Sequence, residues 1–588
     1  MAKKLPHTDL QNLPARAAAF IRLVIRQMRY RRKVRWDVQT ELAAHFEDGL
    51  KDCKTDEERE QKAQQIIADF GDAKLLGALL RRAKKRCRPL WKKAIVRGLQ
   101  TVVVLIILFC LYTVWFVSGE PVISTNYLAQ LNRVVRPAAN ESLNAAPFYD
   151  KAIRVVKDMP DDVSRALYEK YHEATLAERQ LVEQWLSDNQ QIFELIAEGA
   201  QKPYYWRQYK TDGGTVEMMA VLVPDLSYFR KLAFALRWRI WRSVEQSRYE
   251  DAFRDVESSY RLGQHLRADK TLIEQLVGIA LEALATRTLR EILWEQTIES
   301  STLAALQSDL ERMIAHEDFT MSLKAERLCV YDEIQRAFTG GPGSGHIIPE
   351  RIQQLAPEVM VIWTKQEGTD SNNSSRYRNG DWLDQVFLAI RYEFCEPGGA
   401  FYGVGVFLKR WAYMLFLHPD KQETRKAAEQ FFDYWQNVAA KTPAQLHAEQ
   451  TDIKEQSMRI VRGNVLLEIG ASSLERIFLQ TYTLRASVEA VVTIIAILRY
   501  YQDTGRYPEN LNRLITAGYL EKLPIDPYSD EPFVYKRQGD SFILYGFGRN
   551  FRDDGGEVFD NVWQGTKERG DMVLWPIFES QNEASKRD

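Results

Sequence analysis

The sequence predicts a mainly α-helical protein in four parts. These are a small helical domain over residues 1–96, one transmembrane helix over 98–119, a large and mostly helical domain over 120–470, and an α+β module over 480–580, with 581–588 as a tail. Three observations predict it. Apolar residues recur three and four apart through most of the chain, which places them on one face of successive helices. The segment Gly98–Gly119 runs 22 residues without a charged side chain. Beyond residue 480 the pattern changes to short aromatic and β-branched runs separated by Gly and Asp, the pattern of hairpin strands.

Composition narrows the class further. At about 100–200 residues per domain, 588 residues imply several units. A chain that is 45% hydrophobic and 27% charged is not disordered. Five cysteines are too few for a disulfide scaffold, and a net charge of −1 argues against a globally basic nucleic-acid binder. That balance hides a split. Residues 1–98 hold 24 basic and 12 acidic side chains, a net of +12, and the remainder holds 55 and 68, a net of −13.

The first domain reads as short helices. Phe20, Ile21, Val24, Ile25 and Met28 form one apolar stripe, and Val34, Val38, Leu42 and Phe46 a second. Thr55 and Glu58 have capping-box spacing, ahead of Ala63, Ile66, Ile67 and Phe70. Gly71 suits a C-cap, and Asp72 can cap a last helix bearing Leu75, Leu76, Leu79 and Leu80. Glu41-Leu42, His45, Asp48, the acidic start Asp56–Glu60, Ala63 and Phe70-Gly71-Asp72 together resemble the HAAS or permease-prefix domain that precedes membrane spans in bacterial proteins. The resemblance covers residues 16–85 and implies a helical signalling or interaction module. Glu41 and His45, one turn apart, lack the third and fourth ligands of a metal site.

The uncharged segment follows. As a helix it spans about 33 Å, against about 30 Å of bilayer hydrocarbon. Tyr112 and Trp115 suit one interface and Trp91 the other. Nine basic residues and no acid lie in 81–97, and Glu120–Arg136 is nearly free of basic residues. The positive-inside rule therefore expects a cytoplasmic N-terminus and exported C-terminal domains, in a bacterial inner membrane, with lipid contacts through 98–119. The basic stripe beside the span suits lipid headgroups, not nucleic acid. The span lies too far into the chain for a cleaved signal peptide, so an uncleaved anchor is expected. A second apolar stretch, Phe401–Leu417, is broken by Lys409 and Arg410 and reads as a buried helix.

In 120–470, Tyr228 to Val244, Tyr249 to Leu266 and Leu272 to Leu284 carry apolar residues at helical spacing. Arg248–Phe253 resembles the first turns of a tetratricopeptide hairpin, which would stack helices into a concave partner surface. No repeat holds a fixed period, so an irregular helical domain fits the same residues. The aromatics Tyr204, Tyr205, Trp206, Tyr209, Trp238 and Trp241 read as packing. The loop Gly340–His346 lacks the Lys of a phosphate-binding loop and the glycines of a nucleophile elbow, and reads as a linker. Gln366–Asn379 is a second polar loop. Glu326, Asp332 and Glu333 read as a solvated helix face. Cys329 and Cys395 lie on the exported side, where one disulfide is permitted, and Cys53, Cys87 and Cys110 are expected to stay unpaired.

The last module opens with a helix through Val488, Val491, Val492, Ile495 and Leu498. Asp503-Thr504-Gly505-Arg506-Tyr507-Pro508 stops it, and Leu511–Ala517 is a short helix. Leu523-Pro524-Ile525-Asp526-Pro527 leads into two strands, Phe533–Tyr535 and Phe542–Tyr545, turned at Gly539-Asp540. An acidic Gly loop, Asn550–Glu557, completes the unit. This order of elements resembles the globular domain of the type II secretion major pseudopilin. The resemblance implies calcium in the last loop, with Asn550, Asp553, Asp554 and Asp560 as oxygen ligands. Asn550 replaces an acid of that pattern, and an acidic turn without metal fits the same residues. No processed leader precedes the module, so a borrowed fold rather than a pilus subunit is expected. The whole layout, with Asn144–Tyr149 after the anchor, resembles planctomycete-type single-pass membrane proteins, a likeness that implies no activity. The expected function is a non-enzymatic, membrane-anchored scaffold for envelope proteins. A transmembrane sensor or an exported hydrolase without a sequence motif are the alternatives.

Overall fold

The computed structural model describes residues 10–86, 90–210, 218, 225–315, 319–340, 345–355, 412–557 and 570–577. Several predicted features lie outside them: Cys87, Cys395, Asp560, the loop 366–379, the first part of 401–417, the tail 581–588 and the side chain of Trp91. The fold is mainly helical with a few short strands, and the chain packs as two units, Met1–Val114 and Trp115–Asp588.

The first unit holds α1 (Ala15–Met28), α2 (Arg32–Gly49), α3 (Asp56–Phe70), α4 (Ala73–Arg86) and most of α5 (Leu90–Val117). Phe20, Ile21, Val24 and Met28 of α1 are buried against Val38, Leu42 and Phe46 of α2. Phe20, Phe46 and Phe70 join three helices in one ring cluster, with centroids 5.9–6.3 Å apart. Thr55 and Glu58 form the capping box that their spacing predicts. Gly71 ends α3 at φ 72°, and the Asp72 carboxylate accepts from the Lys74 N–H at 2.9 Å. One face differs from expectation: Leu75 and Leu79 point outward, and only Leu76 and Leu80 join the core. Gly77 sets this rotation, because a Cβ there would lie 3.0 Å from the Val24 carbonyl oxygen of α1. Glu41 pairs with Lys84 at 2.7 Å, and His45 packs on Phe70.

Helix α5 carries 24 residues, Ala94–Val117, long and apolar enough to cross a membrane, and none of its best window is buried.

The second unit contains α6 (Tyr127–Val134), α7 (Ala146–Lys157), α8 (Asp161–Ala166), α9 (Leu176–Asp188), α10 (Gln190–Ala200), α11 (Leu226–Glu245), α12 (Tyr249–Arg267), α13 (Leu272–Glu295), α14 (Ser300–Ile314), α15 (Lys324–Ala337), α16 (Pro349–Leu355), α17 (Lys421–Ala439), α18 (Pro443–Ala448), α19 (Ile453–Val461), α20 (Val465–Thr504) and α21 (Asn512–Thr516). Its centre is the layer α11, α12 and α13, with α20 laid against α13 and α14. Helices α12 and α13 cross at two glycines. A Cβ on Gly263 would meet the Gly278 carbonyl oxygen at 2.7 Å, and one on Gly278 would meet the Gly263 oxygen at 2.6 Å. This close approach turns Glu274, Gln275, Glu282 and Thr286 inward and leaves Ile273 exposed, so the buried face of α13 differs from its apolar stripe. Arg267 answers Glu282 across the crossing at 2.7 Å.

Helix α20 is 40 residues long and runs through the predicted boundary at 470–480. Body and C-terminal module thus share one helix within one packed unit. It ends at Gly505, in the left-handed region at φ 71°, whose N–H donates to Tyr501 O at 2.8 Å. Strands β1 (Ile525–Asp526) and β2 (Glu531–Pro532) pair as one ribbon. Strands β3 (Val534–Gln538), β4 (Ser541–Gly546) and β5 (Met572–Trp575) form an antiparallel sheet. Gly539-Asp540 turns β3 into β4, with Gln538 opposite Ser541. The sequence reading has two strands here, matching β3 and β4; it lacks β5 and the short β1–β2 ribbon. Trp575 of β5 stacks on Phe542 at 5.2 Å and meets Trp294 of α13 edge-on at 5.0 Å, which fastens the sheet to the body.

Candidate functional site

The second unit begins where α5 ends, and that junction is built. The last carbonyls of a helix lack intrahelical donors. Here the His346 Nε2–H donates to Phe116 O at 2.8 Å, and the imidazole stacks on the Phe116 ring at 4.4 Å, with Trp115 at 4.7 Å. His346 is held in turn by Thr339: its own N–H donates to Thr339 Oγ1 at 3.1 Å, and the Thr339 N–H donates to His346 O at 2.9 Å. A side chain at Gly119 would strike Thr339 Cγ2 at 2.3 Å. The Gly-rich segment, expected as a linker, therefore holds the end of α5 through His346, while Gly340 at its other described end meets Val122.

Beside this junction lies a cleft of about 380 Å³ between the start of α6, α15 and the first turns of α17. Tyr127 and Tyr331 form its aromatic wall, with ring centroids 6.1 Å apart. Lys421, Arg425 and Lys426 supply three cations against one acid, Glu429. The Arg425 guanidinium lies 3.1 Å from the Tyr331 centroid, donates to Tyr127 Oη at 2.8 Å and pairs with Glu429 at 3.1 Å. Burial opposes its charge, but the hydrogen bonds to Tyr127 and Glu429 outweigh burial and hold the guanidinium above its usual value. Partial burial pushes the Lys421 amine down. Among the described residues, no ion pair engages Lys421 or Lys426. Fixed aromatic walls with two such lysines can receive an anionic oxygen group. The sequence hides this site because its basic residues, one turn apart on α17, meet tyrosines nearly 100 and 300 positions away.

The predicted calcium ligands lie elsewhere. Asn550, Asp553 and Asp554 share one loop, and Asp560 is outside the described residues. Asp553 accepts from Tyr545 Oη at 2.9 Å and the Gly555 N–H at 2.8 Å. Asp554 accepts from the Asn550 amide at 2.7 Å and the Gly570 N–H at 2.6 Å. Asp571, which the sequence reading omits, accepts from Gly556 and Asp554 N–H groups at 2.7 and 3.2 Å. Burial raises the Asp571 carboxyl, and those two backbone bonds oppose the rise. The oxygens suit calcium by type, and Asp553 Oδ1, Asp554 Oδ2 and both Asp571 oxygens also hold the loop itself. Among the described residues, no group of three His, Cys, Asp or Glu side chains converges for a metal.

Asp332 and Glu333 correct the sequence reading. They are buried rather than solvated, because each has an arginine: Asp332 pairs with Arg336 at 2.8 Å, and Glu333 with Arg351 at 2.7 Å. Burial raises the Glu326 carboxyl as well. Cys53, Cys110 and Cys329 are free thiols; Cys329 is buried beside Leu131 and Ala325, and burial raises it.

One further polar centre has no sequence signal. His265, buried, takes the Tyr149 hydroxyl on Nδ1 at 2.8 Å and donates from Nε2 to Lys202 O at 2.9 Å. Burial pushes the imidazole down to about 4, so it stays neutral. Both ring nitrogens are used, which makes it a buried strut between α7, α12 and the segment after α10.

Compared with protein-family models, with curated proteins and with solved structures, the chain finds no match in any of the three.

Proposed function

We propose that this chain is a single-pass, membrane-anchored envelope protein with a cytoplasmic head, whose exported helical body and C-terminal module hold other envelope proteins without catalysing a reaction. One observation carries the reading: α5 is apolar over a membrane's length, none of its best window is buried, and its last turn is held through His346. An exposed apolar surface of that length is costly in water and at home in hydrocarbon. The run of basic residues before α5 supports the orientation. The helix, left-handed Gly505 and hairpin in sequence support a pseudopilin-like module used as a binding fold.

The test is affinity purification from gently solubilised membranes, with protease digestion of intact spheroplasts for orientation. Stoichiometric co-purifying envelope proteins and digestion of residues beyond 120 are the expected result. Recovery of the chain alone, or protection of its C-terminal part, counts against it. Calcium enters this reading as a ligand of Asn550, Asp553, Asp554 and Asp560. Binding to the native state raises the melting temperature. An unchanged Tm on adding Ca²⁺, or an equal shift in the Asp553→Ala/Asp554→Ala variant, rejects the site.

A further inference from the structure

The stretch 401–417 reads in the sequence as a buried helix, yet its described end is the opposite. Leu415 is buried, but Phe416 and Leu417 are 60% and 70% exposed. Their support is firm. The Leu417 N–H donates to Tyr413 O at 2.8 Å, and Tyr413 Oη donates to Gly463 O at 2.5 Å. His418, next in the chain, donates from Nδ1 to Pro419 O at 2.8 Å and accepts the Val465 N–H on Nε2 at 3.3 Å. Two large apolar side chains are thus held outward by a fixed frame.

A second exposed apolar pair stands just past α5. Val122 and Ile123 are 53% and 52% exposed, and Val122 seats on Gly340, where a Cβ would meet it at 2.2 Å. The two pairs belong to one neighbourhood. His418 packs its ring against Phe338 at 5.9 Å, and the next residue, Thr339, holds the His346 that grips Phe116. Both pairs also lead, within a few residues, into the same cleft: Ile123 into Ser124 and Tyr127, and Leu417 into Lys421, Arg425 and Lys426. Apolar tips, then tyrosines and cations, is the order of chemistries met on leaving a bilayer: hydrocarbon, interface, charged headgroup. Contiguous exposed apolar surface marks an interaction site. Here two exposed apolar pairs follow the end of an apolar helix in one neighbourhood, and Lys421 and Lys426, which form no ion pair among the described residues, complement negative charge.

We infer that the Phe416-Leu417 and Val122-Ile123 tips dip into the leaflet at the Ser118 end of α5, and that the Lys421/Arg425/Lys426 cleft receives the phosphate of an anionic phospholipid there. The inference rests on the reading of α5 as a membrane span.

The test uses the full-length chain with a photoreactive benzophenone amino acid at position 416, reconstituted in phosphatidylglycerol/phosphatidylcholine vesicles and irradiated. A parallel chain with the probe at position 107 of α5 reports on the span alone. Lipid adducts are expected at 416 as well as at 107. Each lysine near an anionic surface is worth about fivefold in binding. The 416 yield should therefore fall at least that far in phosphatidylcholine vesicles and in Lys421→Gln/Lys426→Gln, with the 107 yield unchanged. Adducts at 107 but none at 416 overturn the inference and leave the anchor standing; adducts at neither remove the anchor too. Crosslinking of 416 to a second copy or another protein, equal yields in the two vesicle types, or competition by free glycerol phosphate also overturns it.

Discussion

Among the described residues, two helices pass the same test of length and apolarity for crossing a membrane, and the fold treats them oppositely. In α5 none of the apolar window is buried, whereas in α20, over Leu474–Thr504, 78% of it is. The difference lies in the polar residues that interrupt the apolar ones. From Gly98 to Gly119, α5 has no charge. Helix α20 carries charged groups at intervals, and protein groups answer them: Arg485 pairs with Glu489 at 2.9 Å, Glu489 accepts the Ile525 N–H at 3.2 Å, and Arg499 donates to Gln307 at 2.8 Å. Such partners exist only inside a protein. An apolar run that keeps interspersed charges is a core helix, and one that drops them is free to face lipid.

The largest effect should come from a charge placed in each helix. Ile495 is fully buried, and Ile495→Asp puts an unpaired carboxylate in the core, so loss of the protease-resistant body is expected in limited proteolysis. Ile107→Asp should cost about 2.5–3.5 kcal/mol of membrane insertion, read by membrane fractionation, with the body still folded. A body that unfolds in Ile107→Asp would break the comparison.

Truncation comes next. Trp435 is fully buried, meets Phe478 of α20 at 6.5 Å and donates from Nε1 to Ser457 Oγ at 3.2 Å. Trp435→Ala should cost about 3–5 kcal/mol in denaturant unfolding. Phe109→Ala, on exposed α5, should leave that transition where it is.

Asp526 sharpens the α20 side, since β1 packs on that helix. Its buried carboxylate accepts the Phe547 N–H at 2.7 Å and the Tyr528 N–H at 3.0 Å. Burial pushes it up to about 6, against those two bonds. Between about pH 4 and 6 the folded state therefore binds more protons than the unfolded state, so this group stabilises at acid pH and the contribution is lost as pH rises through 6. Asp526→Asn puts an amide N–H against a backbone N–H and should cost about 1–3 kcal/mol. The stability difference between parent and variant should vary from pH 4 to 6 and be level above. His265, held down at about 4, acts with opposite sign, its contribution being lost as pH falls below about 6.5.

The smallest effect concerns the junction. His346→Ala removes two part-buried hydrogen bonds, to Phe116 O and the longer one to Thr339 Oγ1, and should cost about 1 kcal/mol, seen as faster amide exchange at Thr339 with the body's main transition unchanged.

The parts most legible in the sequence are governed by local rules. Thr55 and Glu58 announce a capping box, Gly71 and Gly505 mark helix ends, and Gly539-Asp540 marks a hairpin, because each conformation is set within a few residues. Contacts from afar decide the rest. Leu75 and Leu79 belong to an apolar stripe, yet Gly77 against α1 chooses which half of it is covered. Glu282 looks like a surface acid until Gly263 and Gly278 bring Arg267 to it. Asp332 and Glu333 mislead in the same way. Strand β5 has a visible signal, Met572-Val573-Leu574-Trp575, but it stands 26 residues beyond its partner β4. The cleft is illegible for the plainest reason: its tyrosines and its cations come from three distant segments.

Helix α20 begins where the Val465 N–H meets His418, beside the exposed apolar tip, and ends at the module. Forty residues of helix make a rod of about 60 Å. That rod is not free-standing: it lies along α13 and α14, and Trp575 fastens the sheet to Trp294. A pull on the sheet is therefore shared along the length of the helical core rather than taken up at a single joint.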